Sequence, residues 1–358
     1  MADDPNTTAG TSALRQVDLP AAEAQAWLET NAFTDGLPVI APERRLVDAA
    51  VDATGRSAGE VLGVLAPTFA DVTIEKVVVC AVMAGCAPTA MRVVVACAEA
   101  MLASPFRVAS VQASTSPATP LFVVSGPNAH DADMVDDTGA FGPGAGANFA
   151  IGRALRLLLL VVGGGHVGDG DPASLGMPAK LSACCAERID ASPWPSLAER
   201  RGCSPNATAV IAFAITGMWQ ISEPTTNVDD VVHQVLHGMI SPGQCSQPRL
   251  PQSGEQLLMV TPPIARLLAQ RFRDVSDLQR ALFEIVRIPM AWVPRYKREA
   301  TRARLTELDI AWTRDLVPLA ESPAAFEVIV TGGDAGVQSM GLSTLTLSRS
   351  AIAEVRGR

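Results

Sequence analysis

The residues with chemistry to offer concentrate in the middle of the chain. Gly142, Gly144 and Gly146 stand in the run Phe141-Gly142-Pro143-Gly144-Ala145-Gly146-Ala147-Asn148, just ahead of an apolar stretch. Glycines permit close backbone approach. A helix starting after them offers free N–H groups and a partial positive charge, which suits a carboxylate or a phosphate. Asn148 stands where it can cap that helix or touch a ligand, and Arg153 and Arg156 add positive charge one turn in. The same residues also read as a plain tight turn with a cap. The stretch is not a P-loop, because no Gly-Lys-Ser/Thr follows. It also lacks the spacing and the acidic residue of a dinucleotide fingerprint.

Thiols and imidazoles lie on either side of this stretch. Cys86 sits in Gly85-Cys86-Ala87-Pro88, at an expected helix break, where a thiol can be exposed and reactive. Cys184 and Cys185 lie near Lys180, Ser182 and Glu187; the lysine can lower a thiol pKa and the glutamate can serve as acid or base. Buried packing is the competing role for any cysteine, and the stronger one for Cys80 and Cys97 inside apolar runs. His166 precedes Asp169 and Asp171, and His130 precedes Asp131 and Asp133, so each can act as a general base or simply be a solvated loop residue. His233 and His237 share a helix face at i, i+4, with Cys245 downstream, which makes them weak metal-ligand candidates. Gln234 stands where H-E-x-x-H would carry its glutamate. Glu75-Lys76 reads as an exposed or half-buried pair at a helix start, and Trp194 as a packing anchor.

The elements that position these groups read as α/β. Short apolar runs that stop at Gly, alternating with helices, are its signature. Strands are expected over 108–113, 121–124, 209–215, 257–260 and 326–330. Two of them share a plan: Phe122-Val123-Val124 running into Ser125-Gly126, and Val328-Ile329-Val330 running past Thr331 into Gly332-Gly333. Ser125, Gly126, Gly332 and Gly333 therefore join the ligand-binding candidates. Helices are expected over 19–31, 89–103, 149–162, around His233 and His237, from 262, and over 274–286. Another starts at a cap supplied by Asp71 or Thr73. The expected organisation is a disordered tail over 1–18, an N-terminal α/β half with the Gly-rich site over 19–203, and a C-terminal α/β half over 204–358. The expected fold is two interleaved or facing α/β halves with mixed sheets flanked by helices.

Composition narrows the function. The 358 residues are 48% hydrophobic and 18% charged, enough apolar material for a large core. The net charge is −9 with no basic footprint, which argues against a nucleic-acid partner. The polar, acidic N-terminus lacks signal-peptide character, and the longest apolar block, 157–162, is too short to span a membrane. Seven cysteines without C-x-x-C spacing then point to reduced thiols and a cytoplasmic protein. No motif requires a cofactor. The partner expected is a small-molecule substrate, and low charge with high Ala/Val content allows a homodimer.

Several uncommon words occur together in one order: Thr73-Ile74-Glu75-Lys76, Ala81-Val82-Met83-Ala84-Gly85-Cys86, Phe141-Gly142-Pro143-Gly144 with Ala147-Asn148, residues 151–157, and Ser192-Pro193-Trp194. In these the chain resembles a bacterial family, some of whose members carry a selenocysteine or cysteine motif of the UGSC type. The resemblance runs from Asp35-Gly36-Leu37-Pro38 to the Gly332-Gly333 turn and implies thiol or redox chemistry. The chain resembles a divergent member: Pro263-Ile264 stand where the family carries Glu-His, and the turn from Gly332 to Ser339 lacks a Lys-His before the serine. Three functions are thereby open. One is a thiol-dependent enzyme, redox or addition–elimination, acting on a small anionic metabolite of a biosynthetic kind. Its catalytic group is Cys86, Cys184, Glu187 and His166, with the anion at Gly142 to Asn148. The second is a metal-dependent lyase or hydrolase using histidines. The third is a non-catalytic binding or partner subunit.

Overall fold

The computed structural model describes residues 14, 16–222, 224–241, 243, 247, 249–311 and 315–356. Most of the expected tail, and Cys245, lie outside the described residues.

Seven strands form the central sheet: β1 (Thr119–Ser125), β2 (Cys184–Ala186), β3 (Ala209–Ser222), β4 (Gln256–Val260), β5 (Phe326–Val330), β6 (Gln338–Thr344) and β7 (Ala351–Glu354). Their spatial order is β5-β4-β6-β3-β1-β2, with β7 beside the first part of β3. The pairs β1/β2 and β4/β5 are parallel, and all other neighbours run antiparallel. The sheet is mixed and curled, and helices flank it, so the α/β architecture is as expected. Its two halves share this one sheet.

β1, β4 and β5 are buried along their whole length, which is why they read as largely apolar runs, broken inside β5 by Glu327, a buried partner of Arg200 and Arg201. Alternate residues serve different cores, as the two-residue strand period requires. Leu121, Val123, Cys185, Ile211, Phe213, Leu257, Met259 and Ile329 pack together on the concave side. Phe122, Val124, Cys184 and Val210 face a second core, shared with helices α1 (Ile74–Ala84), α2 (Met91–Leu102) and α3 (Gly146–Val161). Leu258, Val260, Phe326 and Val328 face a third, shared with α4 (Val228–Gly238), α5 (Pro262–Arg271) and α6 (Val275–Ile285).

Thr73 caps α1 by accepting from the Lys76 N–H at 3.3 Å, and Gly85 ends it in the left-handed region at φ 86°. Glu75 and Lys76 part company. Glu75 pairs with Arg44, whereas Lys76 is buried and donates its Nζ to the Asp71 carbonyl at 2.7 Å. The expected strand over 108–113 is instead a short helix, Val108–Gln112. Five apolar-rich residues fit either period. Here Val108 and Val111 fall on one helical face, and buried Gln112 donates to the Leu159 carbonyl. Trp194 is a packing anchor, buried with its Nε1 donating to the Phe272 carbonyl.

The curl has one consequence for function. β1/β2 and β4/β5 occupy opposite sides of the sheet, yet their carboxyl ends meet. Glu187 N donates to Val124 O (2.8 Å), Arg188 N to Val330 O (2.8 Å) and Thr331 N to Val260 O (3.0 Å). Thr331 Oγ1 adds a bond to Ala186 O at 2.8 Å. Four strand ends thus converge in one place, and ligands of α/β sheets bind in the crevice outside strand carboxyl ends.

Candidate functional site

The floor of the crevice is a buried polar lock. Ser125 Oγ donates to Glu187 Oε2 at 2.5 Å and accepts from the Ala198 N–H at 2.9 Å. The same Glu187 oxygen accepts from the Leu197 N–H at 2.8 Å. Ser125 and Glu187 therefore tie β1 and β2 to the four-residue helix Leu197–Arg200, which has its own Ser196/Glu199 capping box. Burial raises the Glu187 pKa, against the opposing pull of Ser125, Arg200 and the Leu197 N–H; Glu327 pushes it further up. Gly126 closes the lock. At its φ of 126°, a Cβ would fall 2.5 Å from the Ala207 oxygen, so close packing rather than a ligand demands the glycine.

Above the lock lies an exposed cluster. His130 Nε2 stands 3.3 Å from Asp136 Oδ2, with the imidazole open to solvent and the carboxylate largely covered. Burial raises the Asp136 pKa; His130 and Arg188 pull it down while Asp190 pushes it up, so the four groups share one electrostatic neighbourhood. Arg188 Nη1 donates to Gly332 O (3.1 Å) and Asp334 Oδ2 (2.9 Å). Arg266 holds the other Asp334 oxygen at 3.2 Å, and these arginines keep that carboxylate below its ordinary pKa. The β5 turn closes the cluster from the far half. Gly332 N donates to Asp136 O at 2.8 Å, and a Cβ on Gly333 would lie 2.2 Å from Thr138 Oγ1. Gly332 and Gly333 therefore fit one half to the other.

The Gly-rich turn adjoins this cluster through Asn148. That side chain is fully buried and neither caps α3 nor faces open space. Its Oδ1 accepts from Val135 N at 3.0 Å, and its Nδ2 donates to Val135 O at 2.7 Å and Ala140 O at 3.0 Å. It thereby pins Asp136, one residue on, beside the first turn of α3. That helix begins at Gly146 with no side-chain cap, and no atom outside the local chain approaches the Cβ positions of Gly144 or Gly146. Gly144 needs its glycine for φ 105°, and Gly142 donates its N–H to Gly139 O. The two arginines expected to add charge here are committed elsewhere. Arg153 forms a two-pronged pair with buried Asp35 (2.8 and 2.7 Å) and bonds the Leu37 and Pro38 carbonyls. Burial alone would raise the Asp35 pKa, but Arg153 outweighs it and holds the carboxyl below its usual value. Arg156 turns inward to Asp171.

Of the thiols, Cys86 and Cys184 do come together, with Cys97. Cys97 and Cys184 lie within electrostatic reach of each other, and Cys86 of both. All three belong to the helix-side core, away from the crevice. Burial, then Cys184, pushes the Cys86 thiol up to about 12; Cys97 and Cys185 also lie well above the ordinary thiol value. Lys180 bonds Asp171 and the Ala118 carbonyl instead of lowering a thiol pKa. Glu187 belongs to the lock, one strand position past Ala186 and apart from those thiols. His166 is half-buried beyond the C-terminal end of α3, so it too stands apart from the Gly-rich turn. His233 and His237 stack at 4.1 Å between ring centroids, and His237 Nδ1 meets the His233 carbonyl at 2.8 Å. Among the described residues, no three His, Cys, Asp or Glu side chains gather as metal ligands.

The residues that sequence reasoning missed are Asp136 and Arg188, with Asp334 and Arg266 behind them. Their signal was positional: each of the first three follows the carboxyl end of a strand. Two small clefts, of about 210 and 220 Å³, lie away from this crevice. No helix among the described residues is by itself long and apolar enough to cross a membrane. No protein-family model matches the chain, and no curated protein matches it.

Proposed function

We propose that the chain is an enzyme that moves a proton on a small carboxylate metabolite, in an addition–elimination step, within the crevice at the strand ends. The observation that carries this reading is the His130–Asp136 pair beside Arg188. With Nε2 held 3.3 Å from Asp136 Oδ2, the exposed His130 ring has Nδ1 as the nitrogen left to take a proton from carbon. Asp136 orients the ring and stabilises the imidazolium formed. Arg188 Nη1 is occupied by Gly332 and Asp334, whereas Nη2 makes no hydrogen bond among the described residues and is left for a substrate carboxylate. The uncapped start of α3 adds positive potential nearby. A positioned base of this kind contributes about 10²–10⁴-fold to rate.

A second reading keeps thiol-dependent redox or addition–elimination chemistry, carried by the meeting of Cys86, Cys97 and Cys184. It is the weaker of the two, because burial pushes the Cys86 and Cys97 thiols well up.

The two readings separate in one experiment. Small carboxylates, including malonate, succinate and lactate, are incubated with the protein in D₂O, and loss of C–H signal is followed by NMR. The proton-transfer reading expects exchange into at least one acid, about 100-fold slower in His130→Ala and unchanged in Cys86→Ser. Exchange that survives His130→Ala but is lost in Cys86→Ser would transfer the function to the thiols. No enzyme-dependent exchange in any acid would count against both.

A further inference from the structure

A separate polar group lies beneath α3, on the far side of that helix from the Gly-rich turn. A shallow, solvent-open cleft there is lined by Thr119, Phe122, Arg156, Lys180, Ser182 and Ala183, among others. Gly152 sets how closely the helix passes. A Cβ there would lie 2.3 Å from Ser182 Oγ and 2.8 Å from Ala183 N, so only glycine allows this approach. Behind two of these side chains, Asp171 Oδ2 receives Arg156 Nη1 at 3.1 Å and Lys180 Nζ at 3.0 Å, and Oδ1 receives Lys180 at 3.1 Å. Backbone groups complete the set. Arg156 Nη2 reaches Gly165 O (3.3 Å), Lys180 reaches Ala118 O (3.2 Å), and Ala173 N reaches Asp171 Oδ1 (3.3 Å).

The charges do not balance. One carboxylate faces two cations, and no other carboxylate pairs with either of them among the described residues. The side chains are 10% (Arg156), 14% (Lys180) and 1% (Asp171) exposed, so solvent screens the surplus poorly. Arg156 Nε makes no protein hydrogen bond among the described residues. We infer that this cleft binds a small oxyanion, a carboxylate or inorganic phosphate, against Arg156 and Lys180. Asp171 spaces and orients the two cations, and the bound anion supplies the missing negative charge. The cleft is shallow and partly open, with room between its walls for little more than a water molecule, so the ligand is an ion of a few heavy atoms seated at its mouth. The protonation of Lys180 agrees: burial and the neighbouring guanidinium pull its pKa down, although Asp171 pulls it up.

The lysines of the chain are Lys76, Lys180 and Lys297, which makes a direct test simple. The full-length protein is treated with acetic anhydride in phosphate, acetate or chloride at matched ionic strength, and acetylation is read per lysine by peptide mass spectrometry. At least one oxyanion is expected to slow Lys180 acetylation fivefold or more relative to chloride, saturably, with Lys297 unchanged. Thermal melts should show the same anion stabilising the wild type and Lys180→Arg, with saturation lost in Lys180→Met. Phosphate acting without acetate, or the reverse, identifies the source of the oxyanion. If neither anion protects Lys180 beyond chloride, the inference is overturned, whatever the variants do.

Discussion

Replacing Asn148 by alanine removes three hydrogen bonds at once, to Val135 N, Val135 O and Ala140 O. Asn148 is fully buried and Ala140 is buried with it, so water cannot fully replace the lost partners. A net loss of about 1 kcal/mol per bond, plus about 1–3 kcal/mol for a backbone group left buried and unpaired, exceeds the roughly 0.5 kcal/mol of helix propensity that alanine regains. The expected cost is therefore about 3.5–5.5 kcal/mol, read as a shift in urea midpoint at unchanged m-value. Asn148→Asp sharpens the test. It keeps the acceptor for Val135 N but turns a carboxylate oxygen toward two carbonyls, so it should be less stable than Asn148→Ala at neutral pH. That carboxyl would be folded-state protonated, with a raised pKa. Its relative stability should thus recover below the unfolded value and fall as pH rises. If Asn148→Asp matches the wild type at pH 7, the clamp described here is not what holds the loop.

Three further outcomes follow from the same geometry. Burial raises the folded pKa of Glu187, so its contribution is fully present below the unfolded pKa and is lost as pH rises through the folded one; Glu187→Gln, which keeps the acceptor for Ser125 and Leu197, should gain progressively on the wild type as pH rises above the ordinary glutamate range in urea melts. Cys86, pushed up to about 12, should react with iodoacetamide at pH 8 on the order of a thousandfold more slowly in native than in unfolded protein, as followed by peptide mass spectrometry. Gly152→Ala should cost about 2–4 kcal/mol because its Cβ meets Ser182 and Ala183, while Gly146→Ala, with open space at its Cβ, should be neutral or stabilising by up to about 1 kcal/mol in the same melts.

Much of the scaffold is legible in the sequence, and the reason is burial. β1, β4 and β5 are covered on both faces, so they appear as apolar runs that no solvent-facing residue interrupts. β2 is only three residues long, β6 carries Ser339, Ser343 and Thr344 at buried positions, and β7 ends in exposed Glu354, which leaves no such run to find. The glycines are conspicuous, but their purposes are not. Gly126 and Gly333 serve close approach between segments distant in sequence, a need that no local pattern records. The site was harder for the same reason. His130, Asp136 and Arg188 meet because β1 and β2 are parallel neighbours, and the curl brings Val330 and the Asp334 turn to them; spacing along the chain carries no trace of that meeting. The chemistry that does stand out locally, Arg153 and Asn148 after the glycines, turns out to be spent on Asp35 and on the 135–140 loop.

The most direct test of the account uses the imidazoles, since the chain has four histidines, His130, His166, His233 and His237. Long-range ¹H–¹⁵N spectra, assigned through His→Gln variants, would be followed during titration with malonate, succinate and lactate. The crevice predicts saturable movement of the His130 signals by at least one acid, weakened at least tenfold in Arg188→Gln, with His233 and His237 unmoved. Signals of His130 that ignore every acid, or a response that Arg188→Gln leaves intact, would contradict it.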